Sequence, residues 1–211
     1  MDKMRLLARW EYKPVNIYRG YAGRTLYVNI SNFSFEERPV SEDMKEKFIG
    51  GRGFGLKLLW DAAKDTTKWN DPENEIVISG GPLCGITQYP GSGKCYTVFI
   101  SPLTEQTYDS NAGGYFGPLL KFSGWDALEI QGKADRDIVV FIDGDNNRVE
   151  IYESPFEEVN AVTVTEALHE YFAEDEEDKR NISVVSTGKG AENSYWGCLN
   201  MSFYDLRRKT P

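Results

Sequence analysis

The segment 110–128, SNAGGYFGPLLKFSGWDAL, constrains the fold more than any other part of the chain. Two adjacent glycines, Gly113 and Gly114, precede two aromatic residues and a short apolar run that Gly124 closes. Glycine loses more backbone entropy on folding than any other residue, so this pair indicates main chain that a bulky group approaches closely. The pattern predicts a loop feeding a helix, with Pro118 in the first turn and a phosphate-binding helix N-terminus beside the glycines. A tight helix entry, in which the glycines serve packing, is the alternative.

Length and charge bound the class of protein. A chain of 211 residues forms one large domain or two small ones and can bury a sizeable core. Its formal net charge of −9, without a basic stripe, argues against nucleic acid as the main partner. No stretch has the apolar length of a membrane span, and residues 1–20 lack the apolar core of a signal peptide. We therefore expect a cytoplasmic protein with no membrane association.

The cysteines and the single histidine give no metal-binding pattern. Cys84, Cys95 and Cys198 are widely spaced and form no CxxC motif, so neither a four-cysteine zinc site nor a self-contained iron–sulfur cluster is predicted. We expect Cys84 and Cys95 to be buried thiols that serve packing. His169 lies in a helical pattern, which argues against histidine-based metal chemistry.

The order of predicted elements favours an α+β fold, rich in β-sheet and with inserted helices. Residues 1–20 are predicted to be an extension outside the core. Long loops on a rigid sheet often carry function, and 80–93 is such a loop, with five glycines and two prolines. Alternation of apolar residues predicts strands at 24–31, 33–40, 75–79, 94–100, 126–132 and 182–188 and a hairpin over 137–152. Helical patterns cover 41–49, the part of 50–63 that follows its glycine-rich turn, and 162–172.

The glycines at the start of 50–63 do not indicate a dinucleotide site. They fall at 51, 53 and 55, in GGRGFG, and a predicted helix rather than a strand precedes them. The dinucleotide fingerprint needs a strand that leads directly into its glycine turn. A Rossmann site is therefore not predicted here.

Several longer motifs identify the chain as a relative of a known family. It resembles the N-terminal domain of the tungsten-containing aldehyde:ferredoxin oxidoreductases over about 21–203. We expect 1–20 to be an N-terminal extension, 21–205 the tungstopterin-binding domain and 206–211 a C-terminal tail. The motifs are GRTLYVNIS, FIGGRGFGLKLLWD, PENEIVISGGPLCG, PGSGKCYTVFISPLT, SNAGGYFGPLLKFSGWDALEIQGKA and the weaker STGKGAENSYWGCLNMS.

The resemblance implies a specific site. In that family two β-sheets form a base for a bis-pterin cofactor, whose dithiolene sulfurs hold tungsten or sometimes molybdenum. A magnesium ion bridges the pterin phosphates, with backbone carbonyls among its ligands. By similarity, Asn111, Ala112, Gly113 and Gly114 contact the cofactor, and the carbonyl of Asn111 is the predicted metal ligand. Lys94 occupies the place of a basic residue, usually arginine, that meets phosphate; a surface lysine at the start of a strand is the alternative.

The departures from the family leave three hypotheses open. We expect the 4Fe–4S cluster and the substrate residues on a larger partner chain or a missing portion, with ferredoxin as an indirect partner; a homo-oligomer is the alternative. The chain is then part of an enzyme that oxidises aldehydes to carboxylic acids, or a non-catalytic cofactor carrier, or a repurposed domain without cofactor.

Lys94 offers a point charge where arginine offers a planar fork. No residue is predicted to be catalytic; Asp109 and Asp126 flank the loop and are expected to be caps or solvated.

Overall fold

A computed structural model describes residues 4–156, 159–195 and 199–211. Its centre is a mixed six-stranded sheet in which β2 and β7 are parallel and all other neighbours antiparallel. The strands of this sheet, in spatial order, are β3 (Ser34–Pro39), β2 (Arg24–Asn29), β7 (Ala127–Gln131), β4 (Glu75–Gly80), β5 (Cys95–Ile100) and β6 (Thr107–Ala112). A second, antiparallel sheet contains β1 (Leu6–Glu11), β9 (Arg148–Glu153) and β8 (Ile138–Asp143). A short ribbon pairs β10 (Val185–Ser186) with β11 (Asn200–Met201).

Helices cover both outer sides of this arrangement. They are α1 (Glu42–Phe48), α2 (Arg52–Ala62), α3 (Phe116–Phe122), α4 (Ala161–Phe172) and two short 3-10 turns, Asp178–Asn181 and Lys189–Asn193. Ser41 caps α1 by accepting a hydrogen bond from the Met44 amide at 3.1 Å, as the sequence predicts. Among the helices of the described ranges, none has both the length and the hydrophobicity needed to cross a bilayer.

The core lies between the two sheets because successive side chains of a strand point to opposite faces. Leu26 and Val28 of β2 are fully buried against Val149 and Ile151 of β9, with Trp125 beside them. The other face of the six-stranded sheet carries α2, which packs so closely that a Cβ built on Gly55 collides with the side chain of Val98. The mixed, mostly sheet architecture confirms the predicted fold class.

Part of the segment predicted to be an extension belongs to the core, so that expectation is wrong for residues 4–12. β1 pairs with β9 along its length, and Tyr12 packs edge-on against Trp125 with ring centroids 4.8 Å apart. The charged residues of β1 interrupt its apolar alternation, so the sequence pattern did not predict this strand. In the structure they pair across it: Arg9 binds Glu150 at 2.6 Å, and Arg5 outside the strand binds Glu153 at 2.6 Å.

The segment before the paired glycines is a strand rather than a loop. β6 forms the edge of the six-stranded sheet and pairs with β5 along all six residues. Its sequence, TYDSNA, lacks apolar alternation because an edge strand exposes most of its side chains. The strand predicted at 182–188 is also wrong in length, since only Val185–Ser186 pair in the ribbon.

Candidate functional site

Three strand ends place the predicted site residues at one end of the six-stranded sheet. Gly80 at the end of β4 lies opposite Cys95 at the start of β5, which lies opposite Ala112 at the end of β6. The 80–94 loop and the residues after Ala112 therefore leave the sheet side by side. This arrangement brings together Lys94, Asn111, Ala112, Gly113 and Gly114, which we call the glycine edge.

The structure gives different reasons for glycine at positions 113 and 114. A Cβ built on Gly113 meets nothing within 4 Å, and its φ lies outside the left-handed region, so neither packing nor strain requires glycine there. Gly114 has φ +106°, a conformation that L side chains rarely adopt. Gly93 of the neighbouring loop lies against it, because a Cβ on Gly93 would be 2.6 Å from the Gly114 carbonyl oxygen. Packing explains Gly93 and backbone conformation explains Gly114, whereas Gly113 leaves open main chain.

Lys94 and Asn111 are in direct contact. Lys94 Nζ donates a hydrogen bond to Asn111 Oδ1 at 2.7 Å, and both residues are exposed. Ala112 beside them is half-buried. The lysine is thus positioned over the end of β6 and is not directed away from it. A cation and exposed main chain therefore occupy the same place, although the role of each residue stays a prediction.

The helix after the glycines contributes less than the sequence indicates. α3 begins at Phe116, ends as expected before Gly124, and has seven residues. Tyr115 occupies the N-cap position without a side-chain cap, and Pro118 in the first turn has no N–H to donate. The helix dipole of so short an element is small, so main-chain donors at 113–115 are the relevant groups.

The two described cysteines pack behind the glycine edge. Both are buried, and a Cβ on Gly117 would lie 3.0 Å from Cys84 Sγ and from Cys95 Cβ. Burial raises the pKa of the Cys84 thiol, and it raises the pKa of Cys95 to about 11. Both thiols are therefore protonated at neutral pH, which agrees with a packing role. Cys198 lies outside the described residues.

Two acidic residues flank the glycine edge, and they differ in their hydrogen-bond and ion-pair partners. Asp126 is buried, binds Lys121 Nζ at 2.5 Å and accepts the backbone amides of Ala22 and Gly23, so it acts as a cap and is not solvated. Asp109 on β6 forms an ion pair with Arg52 Nε at 2.9 Å.

Arg52 is a second cation near the glycine edge that sequence reasoning missed. It begins α2, and the amide of the preceding residue, Gly51, binds the Gly80 carbonyl at 2.8 Å, which fixes this helix start at the same end of the sheet. The arginine inside GGRGFG is the sequence signal for this cation.

His169 lies behind the edge and not on it. It is fully buried, its Nδ1 is 3.0 Å from the Lys179 carbonyl oxygen, and its Nε2 is 3.2 Å from Ser202 Oγ. Since Ser202 Oγ already accepts the Val184 amide, its own proton points to Nε2, and the neutral Nδ1–H tautomer fits. Burial lowers the pKa of His169. In the parts of the chain that the structure describes, no group of three His, Cys, Asp or Glu side chains could hold a metal ion.

The glycine edge is an open surface. A cavity of about 1300 Å³ lies elsewhere, between the second sheet, α4 and the six-stranded sheet, and the five predicted residues do not line it. Ligand sites in proteins are mostly concave and often lie between domains. The fold and this edge thus define a sheet-based domain with exposed main chain and cations at one end.

Comparison with known proteins assigns this domain to a family. The profile of the aldehyde ferredoxin oxidoreductase N-terminal domain matches residues 25–209, and the chain belongs to that family. It is 34% identical over 174 residues to a tungsten-containing aldehyde ferredoxin oxidoreductase of Pyrococcus horikoshii and 36% identical over 175 residues to that of Pyrococcus abyssi. Each alignment covers 82% of this chain and 28% of the relative, so the chain spans little more than a quarter of their length.

Other relatives carry different names. An aliphatic sulfonate oxidoreductase, WOR-like subunit, of Pyrococcus furiosus is 32% identical over 184 residues, covering 82% of this chain and 29% of the relative. A solved active-site complex, BamBC of benzoyl coenzyme A reductase with 1,5-dienoyl-CoA, superposes with a TM-score of 0.77 and 26% identity. That match covers 86% of this chain and 27% of the solved chain. The family resemblance stated from the motifs is confirmed, while the relatives differ in what they act on.

Proposed function

We propose that this chain is the cofactor-base part of a tungsten bis-pterin oxidoreductase. The observation that carries the proposal is the glycine edge, where Gly113 leaves main chain open beside the Lys94 ammonium. Family membership and the tungsten-containing relatives support it.

The residues at the edge fit an anionic group that lies flat on main chain. A Cβ at Gly113 would enter the space that such a group needs, and no described residue lies within 4 Å of that Cβ position. Lys94 would pair with a pterin phosphate, and Asn111 would offer its main-chain carbonyl to a magnesium ion. The Asn111 amide oxygen holds Lys94 in place, so these two residues act together.

The chain's part in the reaction is to bind and orient. When bound, the tungsten–pterin group supplies two-electron redox chemistry, while the protein supplies position and electrostatics. Lys94 and Arg52 would neutralise phosphate charge, and 113–115 would present main-chain donors. We assign no proton transfer to this chain.

The reaction and partners follow from the family in this proposal. We propose oxidation of an aldehyde to a carboxylic acid, with electrons passing through a 4Fe–4S cluster to ferredoxin. The cluster, the second half of the cofactor cradle and the substrate residues would come from further domains or a larger partner chain. The short span of the alignments relative to the curated proteins supports that division.

Native mass spectrometry of the complex purified from tungstate-supplied cells tests the proposal. We expect one assembly that contains this chain, a larger iron-containing polypeptide, tungsten and pterin. An assembly without tungsten and pterin would contradict the function. Cofactor on this chain without a larger polypeptide would identify it as a carrier instead.

Lys94→Ala tests the phosphate contact, with Lys133→Ala as the matched control on another exposed lysine. We expect Lys94→Ala to lower retained tungsten and to remove most of its dependence on salt, since screening acts on an exposed ion pair. The Lys133 variant should behave as wild type. Equal retention in both variants at all salt concentrations would return Lys94 to a surface role.

A further inference from the structure

We propose that an apolar surface beside the glycine edge is the docking site for the larger polypeptide of the assembly. This surface, which we call the apolar patch, consists of six large side chains that are each between 36% and 69% exposed. They are Tyr18, Ile49, Leu83, Ile86, Tyr89 and Phe122. The identity of the partner rests on the proposed function, whereas the patch itself is a feature of the fold.

Close main-chain contacts bring two segments of the patch against the start of the 80–94 loop. A Cβ built on Gly20 would be 2.1 Å from the Pro82 carbonyl oxygen, and one built on Gly50 would be 3.3 Å from Pro82 Cδ. Gly20 closely follows Tyr18 in the chain, and Gly50 directly follows Ile49. The segments that carry these two exposed side chains therefore lie beside the loop.

The middle of the same loop contacts α3. A Cβ built on Gly85, which lies between Leu83 and Ile86, would be 3.0 Å from two ring carbons of Phe122. The Tyr89 amide donates to the Ile86 carbonyl at 3.0 Å, which closes a turn within the loop. Single exposed apolar residues are ordinary on a protein surface, but a contiguous group of them marks an interaction site.

The loop that carries half of the patch is uncharged. Residues 81–93 contain no Asp, Glu, Lys or Arg, although 27% of the chain is charged. The central part of a protein–protein interface is depleted in charged residues and enriched in aromatic ones. The composition of the loop therefore matches a surface that a protein partner covers.

Ile49 occupies a strained turn that its side chain makes more costly. It has φ 64° and ψ −51°, and the Gly50 amide donates to the Phe48 carbonyl at 2.6 Å, which defines a γ-turn with positive φ at its centre. A β-branched residue rarely adopts positive φ, whereas glycine does so readily. Because the Ile49 side chain is exposed, burial within this chain does not offset the strain. A contact with a partner explains the isoleucine.

The lengths of the relatives indicate which partner covers the patch. This chain covers 28% of the tungsten-containing relatives, so most of such an enzyme lies outside it. The patch continues into the glycine edge, because Gly93 at the end of the same loop lies against Gly114. A polypeptide that closes over the edge to complete a concave site must also meet the patch. We therefore assign the patch to the larger polypeptide and not to a second copy of this chain.

Photo-cross-linking in the complex from tungstate-supplied cells tests the docking site. The photoreactive residue p-benzoylphenylalanine replaces Tyr89 or, as the matched control, Leu103, another exposed residue of a turn. Leu103 lies between the end of β5 and the start of β6, at the opposite end of the sheet. We expect position 89 to cross-link to the larger iron-containing polypeptide and position 103 to give no such product.

Ile49→Gly separates docking from folding. Glycine relieves the positive φ, so the Tm of the variant chain should not fall below that of wild type. The larger polypeptide recovered with the variant should decrease about fivefold or more, because an apolar anchor of the interface is lost. Leu103→Gly is the control and should recover it as wild type does. Wild-type recovery with Ile49→Gly, or a lower Tm, would contradict the proposal.

The cross-linking result also distinguishes this proposal from the proposed function. A larger polypeptide attached to position 89 in an assembly without tungsten and pterin would support the docking site and contradict the function. A tungsten-containing assembly with no product from position 89, or with equal products from both positions, would overturn the docking site alone. Cross-linking of position 89 to a second copy of this chain or to lipid would also overturn it. An assembly that contains no larger polypeptide would refute both.

Discussion

Replacing Gly113 by valine separates the cofactor role of the glycine edge from its role in folding. A Cβ at this position meets no atom within 4 Å, and the backbone is not left-handed. Substituting glycine where the backbone permits it stabilises a protein by about 0.4–1 kcal/mol, chiefly through the unfolded chain. We therefore expect Gly113→Val to change the free energy of unfolding by no more than about 1 kcal/mol, or roughly 2–4 °C in Tm.

Cofactor retention, unlike the free energy of unfolding, should fall strongly in Gly113→Val. The valine side chain would enter the space over exposed main chain, and overpacking of a close contact costs about 1–3 kcal/mol. That cost corresponds to a roughly 5- to 150-fold loss of retained cofactor under limiting conditions. The assay is tungsten and pterin per chain in the purified complex, measured beside thermal unfolding of the same samples.

Gly190→Val is the matched control for this experiment. Gly190 also has open space around its Cβ and no left-handed φ, but it lies in the turn Lys189–Asn193 and not at the glycine edge. We expect it to retain wild-type tungsten. Wild-type tungsten and pterin in Gly113→Val, with the fold intact, would refute the reasoning that open main chain here admits the cofactor.

Three further predictions concern stability. Lys121→Met leaves buried Asp126 without its cation and should cost about 3–5 kcal/mol, seen as a fall in Tm of roughly 6–20 °C; a smaller shift would show that the backbone amides suffice. Because burial lowers the pKa of His169, stability should fall as pH drops below the ordinary value of 6.5, and His169→Gln should flatten denaturant midpoints between pH 7 and 5. Gly55→Ala should cost about 1–3 kcal/mol by collision with Val98, and an unchanged urea midpoint would disprove that close packing.

Local chemistry in the sequence predicted much of the fold. Apolar alternation in RTLYVNIS and in the 137–152 hairpin predicted strands because one face of each is buried, and Ser41 predicted its helix start through a cap that needs only neighbouring residues. Motifs long enough to be distinctive predicted the family. The segments that failed, β1 and β6, are those whose stabilising partners lie far away in sequence or whose side chains face solvent.

Sequence motifs name the residues of the glycine edge but not their arrangement. Sequence motifs named Lys94 and Asn111, and only strand pairing across β4, β5 and β6 placed them at one end of the sheet in contact. The sequence likewise could not show which of Gly113 and Gly114 leaves open space, because the space around a Cβ depends on residues that are distant in sequence.

The periodicity of the strands, the Ser41 helix cap and the glycine-rich motifs can be read from local sequence, since they depend on interactions over a few residues. The folded chain is needed to show that Glu75 is buried beside Glu129, that Arg9 and Glu150 form a pair, and that a Cβ on Gly113 meets no neighbour within 4 Å. The physical reason is that desolvation and contact are set by segments that meet only in the folded chain.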